Sequence, residues 1–144
     1  MRLTTRTSLA MRALMFCAIN TGRTVRRQEV AEATGASENH LAQVIHLLAQ
    51  KKFLHTVRGR TGGLQLARPA ERITVGEVFR AFEKVIPFAE CFKGTAPECP
   101  LAEGCRLNCV LAEALDAFYA RLDRSTVADL VVENTTLDKI LRVA

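Results

Sequence analysis

No stretch of this 144-residue chain is apolar for long enough to cross a bilayer. The longest strongly apolar run, Ala13 to Ile19, has seven residues, against the ~20 that a spanning helix needs. Arg2, Arg6 and Arg12 precede or enter it, yet it is too short for a secretory leader core and no small-residue cleavage site follows. A cytoplasmic protein with no membrane partner is expected. There is no internal repeat and no low-complexity segment, which excludes solenoids and a disordered tail. Close Cys-x2-4-Cys pairs are also missing, which weakens a zinc-site reading. An oxyanion-binding motif is absent, and His40, His46 and His55 stand far along the chain from four of the five cysteines. The chain is therefore not read as an enzyme.

The apolar fraction of 49% and charged fraction of 24% fit a globular protein able to bury a core without disulfide staples. The net charge of +5 is unevenly spread: residues 1–72 balance to +8 and residues 73–144 to −3. A basic half beside an acidic half suggests that the first meets a polyanion.

Periodicity predicts a first helix from Thr5 to Asn20 with Gly22 beyond its end, and a second from Arg26 to Thr34, broken by Gly35. Ser37 is a good N-cap for a third helix reaching Gln50. Leu41, Val44, Ile45 and Leu48 fall on one face of that helix; Asn39, Gln43, His46 and Gln50 fall on the other. Two short helices around a glycine turn make a helix-turn-helix. The opening residues of its second helix approach base edges in the major groove. Ser37, Glu38, Asn39, His40 and Gln43 are there. Asn and Gln can read adenine bidentately, and Glu38 can accept from a cytosine amino group.

Phe53 to Val57 and Leu64 to Ala67 are β-compatible around Arg58-Gly59-Arg60-Thr61-Gly62-Gly63, a hairpin that would serve as a wing. Its glycines keep the tip slim, and arginine suits a narrow minor groove. Arg2, Arg6, Arg12, Arg26 and Arg27 are candidates for phosphate contacts, which set affinity more than sequence choice. Thr74 caps a fourth helix, Val75 to Glu83. A long helix from Cys105 to Leu122 carries the stripe Leu107, Leu111, Ala114/Leu115, Phe118 and Leu122. A last short helix runs from Ser125 or Thr126 through Val132, and Leu137 to Leu141 pack the tail. The fold class is mainly α with a small β-hairpin. Three regions are expected: a winged helix-turn-helix over 1–83, a cysteine-rich loop over 84–106, and a dimerisation helix with its tail over 107–144.

Of the five cysteines, Cys17 lies inside the first helix and reads as a small buried hydrophobe. The other four crowd together as Cys91-x7-Cys99-x5-Cys105, with Cys109 one helical turn later. Disulfides are disfavoured in a cytosolic chain. Soft thiolates arriving along a Gly- and Pro-containing loop suit an iron–sulfur cluster. A zinc site and a thiol switch stay open on chemistry alone.

Several stretches together are more specific than any one motif. They are Met1-Arg2-Leu3-Thr4, Asn39-His40-Leu41, Val57-Arg58-Gly59-Arg60-Thr61-Gly62-Gly63-Leu64, Ala89-Glu90-Cys91-Phe92, Cys99-Pro100-Leu101, Cys105-Arg106-Leu107 and Ala128-Asp129-Leu130-Val131. With them the chain resembles the Rrf2 family of bacterial regulators over essentially its whole length. Glu38-Asn39-His40-Leu41 and Leu130-Val131-Val132-Glu133-Asn134 favour the nitric-oxide-sensitive repressors of that family. An iron-responsive branch with the same cysteine spacing is the nearest rival, and a cluster-status branch the next. The resemblance implies a 4Fe–4S or 2Fe–2S cluster on Cys91, Cys99 and Cys105. It also implies a homodimer built on the long helix, a palindromic double-stranded DNA operator, and nitric oxide as effector. Family members often take a fourth ligand near the start of the first helix. Ser8 occupies that place here and is a poor iron ligand, leaving Cys109, Glu90, an exogenous ligand or Ser8 itself as possible fourth donors.

Overall fold

The computed structural model describes residues 4–59, 62–83, 100 and 104–143. Seven helices and one two-stranded sheet occur among them. They are α1 (Thr5–Ile19), α2 (Arg27–Thr34), α3 (Glu38–Gln50), β1 (Leu54–Val57), β2 (Gly63–Leu66), α4 (Val75–Glu83), α5 (Arg106–Asp123), α6 (Val127–Val131) and α7 (Thr135–Leu141), with a 3-10 turn at Ala70–Arg72 before α4. The mainly helical fold with one antiparallel hairpin is the one expected.

Helix α1 is central because it is apolar on almost every side. Leu9, Ala10, Ala13, Leu14, Phe16 and Cys17 are all buried. They meet Val30 from α2, Leu41, Val44 and Leu48 from α3, and Val78 and Phe82 from α4 in one core. The tail joins the same core through Val127 and Leu141. Thr4 caps α1 by accepting from the Thr7 N–H at 3.3 Å.

Helix α5 is built differently. None of its 18 residues is buried. Phe118, Tyr119 and Leu122, near its C-terminus, lean on the core, and Phe118 meets Phe79 of α4 at 6.2 Å between ring centroids. Arg80 of α4 makes a two-pronged ion pair with Asp123, at 2.6 and 2.7 Å, and lies 4.5 Å over the Tyr119 ring. Gly76 allows this approach, since a Cβ there would collide with the Asp123 carboxylate. Just beyond α5 the chain pairs with the start of α4: Val75 N–H donates to Ser125 O and Val127 N–H to Ile73 O, both at 2.8 Å.

Two expectations need correction. Leu107 does not continue the packed stripe of α5; it is 61% exposed and shares an exposed face with Val110 (58% exposed), Ala114 and Ala117. The last short helix stops at Val131, and a separate helix follows, with Asn134 Oδ1 accepting from Leu137 N–H at 3.1 Å.

The tail is fastened by one buried amide. Asn20 Nδ2 donates to Phe16 O and to Leu141 O, both at 2.9 Å, and its Oδ1 accepts from Val143 N–H at 3.1 Å. Asn20→Ala leaves Leu141 O and Val143 N–H without these partners, while Phe16 O keeps its bond from the residue 20 backbone N–H; the expected loss is about 1–3 kcal/mol. Chemical denaturation should show the loss, and hydrogen exchange should quicken at Leu141–Val143; an unchanged exchange pattern would mean that Asn20 does not hold the tail.

Candidate nucleic-acid interface

The helix-turn-helix forms for local reasons. Gly35 ends α2 in the left-handed region, at φ 64°, where glycine carries no Cβ penalty. Ala36 N–H then donates to Ala31 O at 3.0 Å. Ser37 starts α3 by accepting from His40 N–H at 3.3 Å. Leu41, Val44, Ile45 and Leu48 are buried, and Glu38, Asn39, His40, Gln43, His46 and Gln50 are exposed, so α3 presents a polar face rich in groups that both donate and accept.

Arginines frame this face. Arg27 Nη2 lies 3.3 Å from Glu38 Oε2. Arg12 Nη1 donates to Thr34 O, at the end of α2, at 3.1 Å, so it braces the unit as well as facing solvent. Glu29 accepts from Arg26 N–H at 2.6 Å and from Arg23 Nη2 at 3.0 Å. Desolvation pushes the Glu29 carboxyl up, but the bonds from Arg26 and Arg23 outweigh it and hold it below its ordinary value.

The wing pairs in the register Leu54↔Leu66, His55↔Gln65, Thr56↔Leu64, Val57↔Gly63. A third partner was not legible in the sequence: Val25, between α1 and α2, bridges Leu64, with N···O distances of 3.0 and 2.7 Å. This ties the wing to the helix-turn-helix. It also refines the role of the glycines. A Cβ on Gly63 would strike Val25 O, and one on Gly62 would strike Val57 O, so both admit close backbone as well as narrowing the tip. Gly59 sits at φ 110° and Arg58 is exposed. Arg2, Arg60 and Thr61 lie outside the described residues.

Among the cysteines, Cys17 is buried and its thiol is pushed up to about 12 by desolvation, as a core position requires. Cys105 is the half-buried N-cap residue of α5, with no side-chain capping bond. Cys109, one turn on, is exposed. Ser8 is half-buried in the first turns of α1. Cys91 and Cys99 lie outside the described residues, and no group of three or more His, Cys, Asp or Glu among the described residues can hold a metal.

Glu83, unremarked in the sequence, ends α4 against the start of α1. It accepts from Thr4 N–H and Thr4 Oγ1, both at 3.0 Å, and from the Thr7 hydroxyl. The only sequence signal is a carboxylate closing a helix; its partners are more than seventy positions away.

A glycine-turned pair of helices, a polar recognition face and a wing bridged back to the helical unit define a winged helix-turn-helix DNA-binding protein. Residues 3–133 match the Rrf2 family, described as "Iron-dependent Transcriptional regulator", and the chain belongs to that family. It is 40% identical over 141 residues to Protein aau3 of Rhizobium meliloti (strain 1021), which covers 98% of this chain and 92% of that protein. It is 36% identical over 143 residues to the HTH-type transcriptional regulator NsrR of Geobacillus kaustophilus (strain HTA426), covering 99% and 97% of the two chains. The solved structure of T. potens IscR superposes with a TM-score of 0.73 at 26% identity, covering 91% of this chain and 86% of that one. The protein is thus a transcriptional regulator of this family rather than an enzyme. No helix among the described residues is long and apolar enough to cross a membrane.

The Glu83 contacts carry a pH signature. Desolvation raises its carboxyl, but the bonds from Thr7 and Thr4 outweigh this and hold it below its ordinary value. A carboxyl depressed in the folded state contributes stability above its unfolded pKa of about 4.3, and that contribution fades as pH falls through the folded value. Glu83→Gln should cost of order 1 kcal/mol near neutrality, less than a fully buried group because Glu83 is partly solvated. Denaturation midpoints should converge with wild type at low pH; a gap that stays constant with pH would remove Glu83 ionisation from the account.

Proposed function

We propose that the protein is a homodimeric repressor, released from DNA when nitric oxide damages an iron–sulfur cluster, 4Fe–4S or 2Fe–2S, held by Cys91, Cys99 and Cys105. The observation that carries this reading is the state of α5. It opens on Cys105, exposes Leu107 and Val110, buries none of its residues, and is fastened to the core near its C-terminal end.

The donor set suits a cluster. Cys105 stands at the N-cap of α5 and makes no side-chain capping bond there, so its sulfur is not engaged by the helix. Thiolates are the donors that such clusters take. When bound, the cluster supplies iron at which nitric oxide can react and displace those thiolates.

This chain's own residues do the rest. Helix α3 enters the major groove with Ser37, Glu38, Asn39, His40 and Gln43 foremost. The wing residues Arg58, Arg60, Thr61, Gly62 and Gly63 lie along the minor groove, and Arg2, Arg12 and Arg27 meet phosphates. Leu107, Val110, Ala114 and Ala117 recur at the alternating three- and four-residue spacing of a helix–helix seam, facing the same residues of a second copy. Two recognition helices then stand about one DNA turn apart on a palindromic operator. Emptying a nearly full operator requires several kcal/mol, roughly 5.5 for a complete reversal. Misplacing one recognition helix can supply a cost of that order. A second reading, release or binding on iron limitation, draws on the family's iron-dependent description.

Oxygen-free protein should be coloured and contain iron and acid-labile sulfide. Cys105→Ala should be colourless and bind the operator weakly; a coloured, fully binding variant would end the ligand assignment. Titration with nitric oxide should bleach the protein and release DNA together, whereas release by an iron chelator with no response to nitric oxide selects the iron reading. Val110→Glu should give a monomer by sedimentation with little change in the thermal melt of the subunit; a persisting dimer would remove the seam on α5.

A further inference from the structure

The opening residues of α2 and α3 meet across the turn. Arg27 and Glu38 each begin their helix, and their side chains pair at 3.3 Å while each stays 51% exposed. An ion pair this open adds little to stability, so its place on the surface matters more than its contribution to the fold. A carboxylate at the head of a recognition helix is an anion that must approach a polyanion. Its partner is an arginine, the side chain best suited to a phosphate.

Two anionic acceptors then compete for one guanidinium, because carboxylate and phosphate oxygens are both strong partners for arginine. In the free protein Glu38 holds Arg27. On DNA a phosphate can take Arg27, which leaves Glu38 enclosed in the groove without its cation. An ionised carboxylate only accepts hydrogen bonds. In the major groove the cytosine N4 and adenine N6 amino groups donate, whereas guanine O6 and N7 and thymine O4 accept. A donor base therefore compensates Glu38, and an acceptor base leaves a desolvated charge facing lone pairs.

We propose that the Arg27–Glu38 pair is an exchange device that sets sequence discrimination. Over unsuitable sequence the pair stays closed, and Glu38 keeps Arg27 from the backbone. Over a base that offers an amino group, cytosine first, Glu38 is satisfied by the base and Arg27 passes to a phosphate. The pair thus converts one base contact into one backbone contact. The inference rests on the reading of α3 as the groove helix.

The test uses full-length protein prepared without oxygen, a random-sequence duplex pool, and duplexes that the wild type selects from that pool. Glu38→Ala should bind the random pool more tightly and the selected duplexes less tightly, shrinking their ratio by about tenfold or more. Glu38→Gln, which keeps the size of the side chain and removes its charge, should also tighten binding to the random pool. Pools selected by Glu38→Ala should lose a cytosine or adenine preference at one position per half-site. Arg27→Ala should lower the salt slope by about one counterion per protomer on selected duplexes but not on the random pool. In the Glu38→Ala background it should lower the slope on both.

A slope lowered equally on both DNAs by Arg27→Ala alone, or a ratio unmoved by Glu38→Ala, overturns the exchange. Asn39→Ala separates the levels of failure. If it weakens binding to selected duplexes while the Glu38 variants change nothing, α3 reads DNA and the exchange is wrong. If neither changes either affinity, the reading of α3 falls and the exchange falls with it.

Discussion

The placement of α5 depends on a short crossing of backbone. Ile73 and Val75, on either side of Thr74, exchange hydrogen bonds with Ser125 and Val127, on either side of Thr126. A helix that buries no residue of its own gains little from the hydrophobic effect, so its position must be imposed from its ends. At the C-terminal end this crossing does so, with the Arg80–Asp123 pair and the space left by Gly76. Backbone bonds carry the geometry better here than a surface ion pair could, since Arg80 and Asp123 are both partly exposed and such pairs are weak and screened by salt.

Helix α4 is consequently the element that several parts share. Its N-terminal end joins the crossing, its middle holds Asp123 and Phe118, and its last residue, Glu83, holds the threonines that open α1. Helix α1 in turn packs against α2 and α3 in the common core, and Val25, just beyond it, is paired with the wing. Contiguous contacts of this kind link the end of α5, through the crossing, α4 and α1, to α3 and, through Val25, to the wing.

The winged helix-turn-helix was legible in the sequence because its signals are local. Gly35, Ser37 and the spacing of Leu41, Val44, Ile45 and Leu48 each report on their own few residues, and the structure places α3 over Glu38–Gln50. The wing was legible from the glycines of its tip. What stayed hidden is held by single residues acting over long separations. Val25 makes a one-residue bridge, too short for any alternation. Asn20 binds the tail from more than a hundred positions away. Asp123 and Arg80 stand 43 positions apart, and either alone reads as an ordinary surface charge. The Leu107 assignment failed for a related reason: helical spacing shows which residues share a face, not which of two apolar faces meets the subunit's own core.

That second failure is informative about α5 itself. One face, Phe118 and Leu122, is used within the subunit; the other, Leu107, Val110, Ala114 and Ala117, runs from the first turn of the helix into its C-terminal half. A helix needs burial or a partner to be stable in water at this length. Among the described residues, α5 leans on the core through Phe118, Tyr119 and Leu122, all in its C-terminal half. The two ends of α5 therefore differ in chemistry: the end that begins at Cys105 carries a half-buried and an exposed thiol, and the other end is joined to α4 by backbone bonds and the Arg80–Asp123 pair.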